Sequence, residues 1–235
     1  MCGRYTLTNS DDLATRFGLG AFTETRIEPR FNVAPSQHVP VVVGHDDHPT
    51  LELMRWGFQP AWLRDDGKRP PPINARSETL LERPMFRGAV AHGRCLIPAD
   101  GFYEWKVVPG RKSKQPMYIR LKSGELFAFA GLYTHGRDDV GPTCVIVTTA
   151  ANDVLAPIHD RMPVILDRSC EADWLDPDLD DPRAAMAMLQ PVPPELLEAY
   201  PVASLVSSVR NDDPTLIEPL TNPEEADAPA SPRLF

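Results

Sequence analysis

Residues 94–133 read RCLIPADGFYEWKVVPGRKSKQPMYIRLKSGELFAFAGLY, and this stretch decides the fold. Within it, 94–107 reads as two strands around a Pro-Ala-Asp-Gly turn, because Asp and Gly supply the hydrogen bond and the backbone freedom a tight turn needs. MYIRL at 117–121 and LFAFAGLY at 126–133 are short runs rich in aromatic and aliphatic residues, and the intervening KSGE is a hairpin signal. Outward from there the pattern repeats. VPVVV at 39–43 and LELMRW at 51–56 read as strands about the polar turn GHDDHPT, and TCVIVTTA at 143–150 and PVIL at 163–166 read as buried strands. VASLV at 202–206 reads as one more.

Helical signals are shorter. Over 10–18, Ser10 is positioned to cap a helix, Asp11 and Asp12 fall in its first turn, and Gly18 closes it. Ser77 is positioned to cap ETLLER, which Pro84 is expected to end. The last third reads as mostly helical: CEADWL after Ser169, RAAMAML after Pro182, and ELLEAY after two prolines. Short strands followed by clustered helices, with no βαβ alternation, predict an α+β class. The expected form is a single domain with a curved, barrel-like mixed β-sheet flanked by short helices. That domain is expected to span 1–220. The Pro-, Glu- and Ala-rich residues 221–235 have little to bury and are expected to form a disordered tail.

Composition narrows the class. The chain has 235 residues, enough for a core that needs no disulfide or metal staple. Its 26 prolines favour turns and short elements over a helical bundle. No apolar run approaches the roughly 18 residues of a membrane span, and MCGRYTLT lacks the basic and apolar regions of a secretory signal. Cysteines at 2, 95, 144 and 170 show no metal-ligand spacing and no disulfide pattern. The expectation is a reduced, cytoplasmic protein without a disulfide framework, nucleoid-associated when bound to DNA, with no metal, no cofactor and no membrane, and a monomer.

Net charge is −9, which taken whole argues against nucleic acid. The distribution is uneven. Residues 1–165 carry 20 basic and 18 acidic side chains, whereas 166–235 carry 4 and 15. Within 55–120 there are 13 basic against 6 acidic. A basic middle beside an acidic last third is compatible with a polyanion, because local potential governs the contact.

Chemistry begins at residue 2. If Met1 is trimmed, Cys2 carries a free α-amine and a thiol on one residue. Such a 1,2-aminothiol condenses with an aldehyde to an imine, and the thiol then closes a thiazolidine ring. With reference pKa values of about 7.7–8.0 and about 8.5, both groups are partly available near neutrality, and a favourable site lowers the thiol further. MCG openings also occur in N-terminal-nucleophile amidotransferases, so the tripeptide alone leaves amide chemistry open.

Three segments add to it. In INARSET (73–79), Asn74 offers an amide and Arg76 a phosphate fork. In ADGFYEW (99–105), Glu104 sits among aromatic residues, and an apolar setting raises a carboxyl toward acid–base use. In IHDRMPVIL (158–166), His159 is a proton shuttle and Arg161 a phosphate ligand. Taken singly, each has a bland alternative as a turn cap, a strand-face charge or a loop histidine.

The set MCGRY, FNVAPSQ, MRWGFQPAW, INARSET, RCLIPADGFYEWK, FAGLY, IHDRMPVIL and VRNDDPTLIEPL resembles the SOS-response-associated peptidase family of abasic-site processing proteins, from Met1 to about Leu220. The resemblance implies a barrel-like α+β domain with a positive groove for single-stranded DNA, crosslinking to abasic sites through a thiazolidine at the terminal cysteine. It implies a nucleophile at Cys2, with Asn74, Glu104 and His159 completing the catalytic set. It also implies phosphate contacts at Arg4, Arg76 and Arg161. Among Trp56, Phe58, Trp62, Phe86 and Trp105, which offer faces for unpaired bases, Trp56 and Phe58 flank Gly57 and are taken to stack on DNA while most of the others belong to the core. Val206-Ser207-Ser208 departs from the family pattern, where an asparagine is expected in many relatives. Two rival readings are an N-terminal-nucleophile peptidase or amidohydrolase, and a non-covalent reader of modified bases.

Overall fold

Twelve strands and four short α-helices follow one another in the computed structural model, which describes residues 2–19, 27–45, 48–63, 70–136 and 139–221. In chain order they are β1 (Tyr5–Leu7), α1 (Leu13–Phe17), β2 (Arg30–Val33), β3 (His38–Val43), β4 (Thr50–Trp56), β5 (Asn74–Arg76), α2 (Pro84–His92), β6 (Arg94–Ala99), β7 (Gly101–Lys106), β8 (Gln115–Leu121), β9 (Phe127–Thr134), β10 (Thr143–Ala150), β11 (Arg161–Pro163), α3 (Glu171–Leu175), α4 (Pro182–Ala187) and β12 (Leu197–Pro201). The expected tail, apart from Thr221, lies outside the described residues, as do Arg64, Lys68 and Arg69 of the basic stretch. No helix among the described residues is long and apolar enough to cross a membrane.

The strands form two sheets. One has the order β12-β8-β7-β1-β2 and the other β11-β10-β4-β3-β6-β9. In the second sheet β10 pairs with both β4 and β9, so β4, β3, β6, β9 and β10 close into a ring. β10 runs parallel to β4 and β5 and antiparallel to β9 and β11, which makes the sheet mixed. Closure removes most free edges, and the near-continuous burial of β9 and β10 follows from their place in the ring. The α+β class with a curved, barrel-like mixed sheet is the observed one.

Both turns in the deciding stretch join strands of different sheets. β6 belongs to the ring and β7 to the other sheet, and the chain crosses between them at Asp100. β8 and β9 likewise part, so KSGE makes a turn (Gly124 N–H donates to Leu121 O) without a hairpin ladder. Pro84 does not end a helix. It opens α2 at the first helical position, where its missing N–H costs nothing, and Phe86 and Val90 bury one face four residues apart. ELLEAY is no helix either, for Leu197–Pro201 pairs residue by residue with β8, and this edge pairing overrides helix propensity. Ser204–Ser207, overlapping the expected strand 202–206, forms a 3-10 turn. The first helix starts at Leu13, three residues after Ser10, and Gly18 closes it in a left-handed conformation (φ 59°) as expected.

Period two along β7 sorts its side chains. Phe102 joins the main core, while Tyr103 joins a second apolar cluster with Tyr118, Val202, Val206 and Leu216. Both faces of this sheet are therefore covered, one by the main core and one by the segment 202–217. Glu104 shares the face of Phe102 and is itself buried. That face also carries Cys2, which belongs to the main core.

At the sheet crossing, the Asp100 carboxylate accepts hydrogen bonds from the hydroxyls of Thr6 and Thr8 and from the backbone N–H groups of Thr8 and Asn9. The Thr6 hydroxyl also meets the Tyr118 hydroxyl at 2.8 Å. That phenol passes so close to Gly101 that a Cβ there would lie 2.1 Å from its oxygen, which is why the Asp-Gly pair is required. Asp100→Ala strands several donors at once, and the expected loss is about 2–4 kcal/mol of unfolding free energy, read from the urea midpoint.

Candidate functional site

β1 is only three residues long, yet it fixes the chain's beginning against β7. Tyr5 lies opposite Phe102, and the Tyr103 N–H donates to Arg4 O at 3.0 Å. This register carries Cys2 alongside Glu104. Cys2 is fully buried, and its Sγ points to Arg4 O at 3.8 Å. Burial first, and the neighbouring Glu104 second, push the Cys2 thiol up from its ordinary value. This corrects the expectation of a lowered thiol. A thiol pushed up in this way is a nucleophile only with a base at hand to take its proton.

Asn74 opens β5, which is held parallel to β10 through Asn74↔Ile146 and Arg76↔Thr148. Its Nδ2 donates to the Cys2 carbonyl at 2.9 Å. Its Oδ1 is buried with no hydrogen-bond partner among the described residues. The residue before it is clamped by Trp56, whose indole N–H donates to Ile73 O at 2.9 Å. Cys2, Asn74 and Glu104 therefore form one cluster of three motifs remote in sequence. It presents a thiol, an amide oxygen in need of a donor and a carboxylate 3% exposed.

His159 enters from the loop between β10 and β11. Its side chain is 28% exposed, and its Nδ1 lies 2.8 Å from Asp160 Oδ1. The Arg161 backbone N–H donates to the same Nδ1 at 3.0 Å. The link from this loop to INARSET runs through Arg161, whose guanidinium grips the Glu78 carboxylate with both terminal nitrogens at 2.5 and 2.9 Å. Arg161 is thus not the open phosphate fork expected from sequence: with its side chain 11% exposed, its fork is closed on a carboxylate. Arg4 is also committed, its Nη1 donating to Asn32 Oδ1 at 3.1 Å and Val206 O at 2.8 Å. Of the three arginines, Arg76 alone is exposed.

The two proposed stacking residues are corrected as well. Trp56 is fully buried and Phe58 nearly so, Trp56 edge-on to Tyr5 and Phe58 against Phe86. Residues two apart share a face, and here that face is the core. Trp62, within the basic stretch, is 63% exposed. Trp105 is half-buried, its indole N–H donating to Ser207 Oγ at 3.3 Å. The departing Val-Ser-Ser segment thus lies against Trp105 and Arg4.

Cys2, one residue from the start of the chain, is buried, bonded at its carbonyl by the INARSET amide and within electrostatic reach of the GFYEW carboxylate. Residues 1–209 match the model of the SOS response associated peptidase (SRAP) family, and the chain belongs to that family. It is 45% identical over 223 residues to the abasic site processing protein YoqW of Bacillus subtilis, covering 93% of this chain and 99% of that one. To the abasic site processing protein YedK of Escherichia coli it is 34% identical, over 94% of this chain and 100% of the other. It is 31% identical to the abasic site processing protein HMCES of Gallus gallus, over 88% of this chain and 72% of the other. A crystal structure of a Bacteroides thetaiotaomicron protein superposes with a TM-score of 0.82 at 26% identity, covering 93% of this chain and 100% of that one.

Proposed function

We propose that this protein acts on abasic sites in DNA, and that it does so by trapping the open-chain sugar aldehyde as a thiazolidine on Cys2. The observation that carries the reading is the contact of Asn74 with Cys2 beside the buried Glu104. With Met1 removed, the Cys2 α-amine adds to C1′ of the ring-opened deoxyribose and expels one water to give an imine. The thiol then adds across the C=N bond: the S–C bond forms, and the thiol proton ends on nitrogen. No redox change occurs.

Each neighbour has a task. Asn74 Oδ1 accepts a hydrogen bond from the α-amine and holds it toward the aldehyde. Glu104 moves the proton that opens the sugar and receives the proton of the attacking thiol, which burial keeps on sulfur until then. His159 serves ring opening and imine protonation. An imine left open proceeds to β-elimination and strand cleavage, and ring closure prevents it. Support for single-stranded DNA as the partner comes from the basic stretch 55–120, exposed Arg76 and exposed Trp62, whose ring offers a stacking face.

The test is incubation with single-stranded DNA bearing one abasic site, without borohydride, read on a denaturing gel. A covalent species is expected. Its absence, from protein verified to begin at Cys2, refutes the reading. Phosphate contact is tested separately. Log Kd should change linearly with log salt, at about 0.7 per phosphate contacted for single strands, and Arg76→Ala should reduce the slope by about that amount. An unchanged slope removes Arg76 from the interface.

A further inference from the structure

Glu78 belongs to the INARSET motif, but neither the sequence pattern nor the proposed reaction uses it. It stands in the 3-10 turn directly after β5, the strand that Asn74 opens. Its carboxylate reaches across β10 to Arg161, the first residue of β11. β10 is the shared partner: Thr148 pairs with Arg76 on one side and with Pro163 on the other, and Ala150 with Arg161. The Arg161 Nη2 that grips Glu78 also donates to Thr148 O at 2.7 Å as it passes. The clasp thus ties three strands, with the Asn74 strand at one end and the His159 loop at the other. Arg161 holds the Glu78 carboxyl below its ordinary value, so the clasp is an ion pair at neutral pH.

The other end of Arg161 touches His159. Nδ1 of that ring faces two groups that demand opposite proton states. To accept the Arg161 N–H it must be unprotonated, which puts the proton of the neutral ring on Nε2. To donate to Asp160 it must carry the proton itself. Asp160 is 84% exposed at its side chain and held by nothing comparable among the described residues, whereas Arg161 is anchored by both terminal nitrogens of its guanidinium. We infer that Glu78 is a positioning residue: by fixing Arg161, it keeps the Arg161 N–H on Nδ1 of His159 and so holds the ring as a donor through Nε2.

This rests on the role proposed above for His159 as proton donor to the sugar and imine, and the test separates the two. Tautomer state is read directly from the 15N shifts of His159, which distinguish Nε2–H from Nδ1–H without any DNA. Wild type is expected in the Nε2–H form, and Glu78→Gln in a mixture shifted toward Nδ1–H. Crosslinking at saturating abasic DNA is expected to slow by roughly tenfold in Glu78→Gln, a part of the roughly 10²–10⁴ that a positioned proton-transfer group supplies. Little change is expected in DNA Kd. In a His159→Ala background the same substitution should slow the reaction no further, because its effect passes through that ring. Arg161→Lys, which keeps the charge but loses the fork, should reproduce the tautomer shift.

An unchanged tautomer in both variants overturns the inference. So does equal slowing by Glu78→Gln with and without His159, which marks a general structural role. Tighter DNA binding with an unslowed step would make Glu78 a competitor for a phosphate-binding arginine instead, and likewise overturns it. Failure of His159→Ala to slow the reaction would remove the catalytic role of His159 and leave the tautomer measurement standing on its own.

Discussion

Cys2→Ser is expected to yield no adduct that survives a denaturing gel, while Cys2 protein yields one without borohydride. The argument is chemical. Serine retains the α-amine and forms the imine, but an imine hydrolyses on denaturation. Sulfur alone among the changes converts it to a closed ring under these conditions, because an oxygen nucleophile adds far more weakly to the C=N bond. Borohydride added to the serine variant should recover a covalent species by reducing the imine, which separates loss of ring closure from loss of binding. The Cys2 carbonyl contact with Asn74 involves the backbone, so it persists in the variant. The buried position accepts a hydroxyl at modest cost, and the urea midpoint should move little. Equal adduct from both proteins without borohydride would eliminate the thiazolidine.

Much of the fold was legible, for a reason visible in particular strands. β9 and β10 are long apolar runs, and burial on both faces is the only arrangement that satisfies them. What could not be read was which sheet each strand joins. KSGE and PADG announce turns correctly, but turn chemistry is local, and the parting of β8 from β9 is decided by what lies across the sheet. Leu197–Pro201 fails for the same reason. Its residues favour a helix locally, and a vacant edge on β8 makes it a strand.

The site divides along the same line. Cys2, Asn74 and Glu104 stand out because each lies in a motif whose residue types suit the proposed reaction, and a hydrogen bond from Asn74 and the nearby charge of Glu104 join them to Cys2. Phosphate contacts at Arg4 and Arg161 follow from the family resemblance, and a charge in a sequence carries no mark of whether it is already spoken for. Asn32 and the Val206 carbonyl hold one, and Glu78 holds the other. Trp56 is buried and Trp62 exposed because one lies in a strand that closes the ring and the other beyond its end. An aromatic in a basic segment looks the same in either place. Glu78 had a signal after all: an acidic residue inside a motif read as phosphate-binding is a charge that needs explaining.

Glu104→Gln carries the second large effect. Glutamine keeps the size and polarity of the side chain but neither accepts nor delivers a proton near neutrality. Glu104 shares the buried face that carries Cys2, and its charge acts on the thiol. Burial pushes that thiol up, and the proposed attack on the imine is therefore coupled to proton removal rather than preceded by it. The carboxylate is the proposed acceptor, and the sugar ring oxygen is its other substrate. Loss of a positioned proton-transfer group costs on the order of 10²–10⁴ in rate. The variant should therefore form the same adduct, of the same mass, at a rate lower by about that range. Its affinity for abasic single-stranded DNA should be nearly that of the parent, because removing one buried negative charge near the site does not weaken contact with a polyanion. Reversal of the preformed adduct should slow in parallel, since the same proton must return to sulfur as the ring opens. The decisive measurement is a single-turnover time course in both directions at saturating DNA. Slow formation with unchanged reversal would mean that Glu104 acts on sugar opening alone. Unchanged rates in both directions would return it to a buried structural carboxylate, with the base for Cys2 to be sought elsewhere in the cluster.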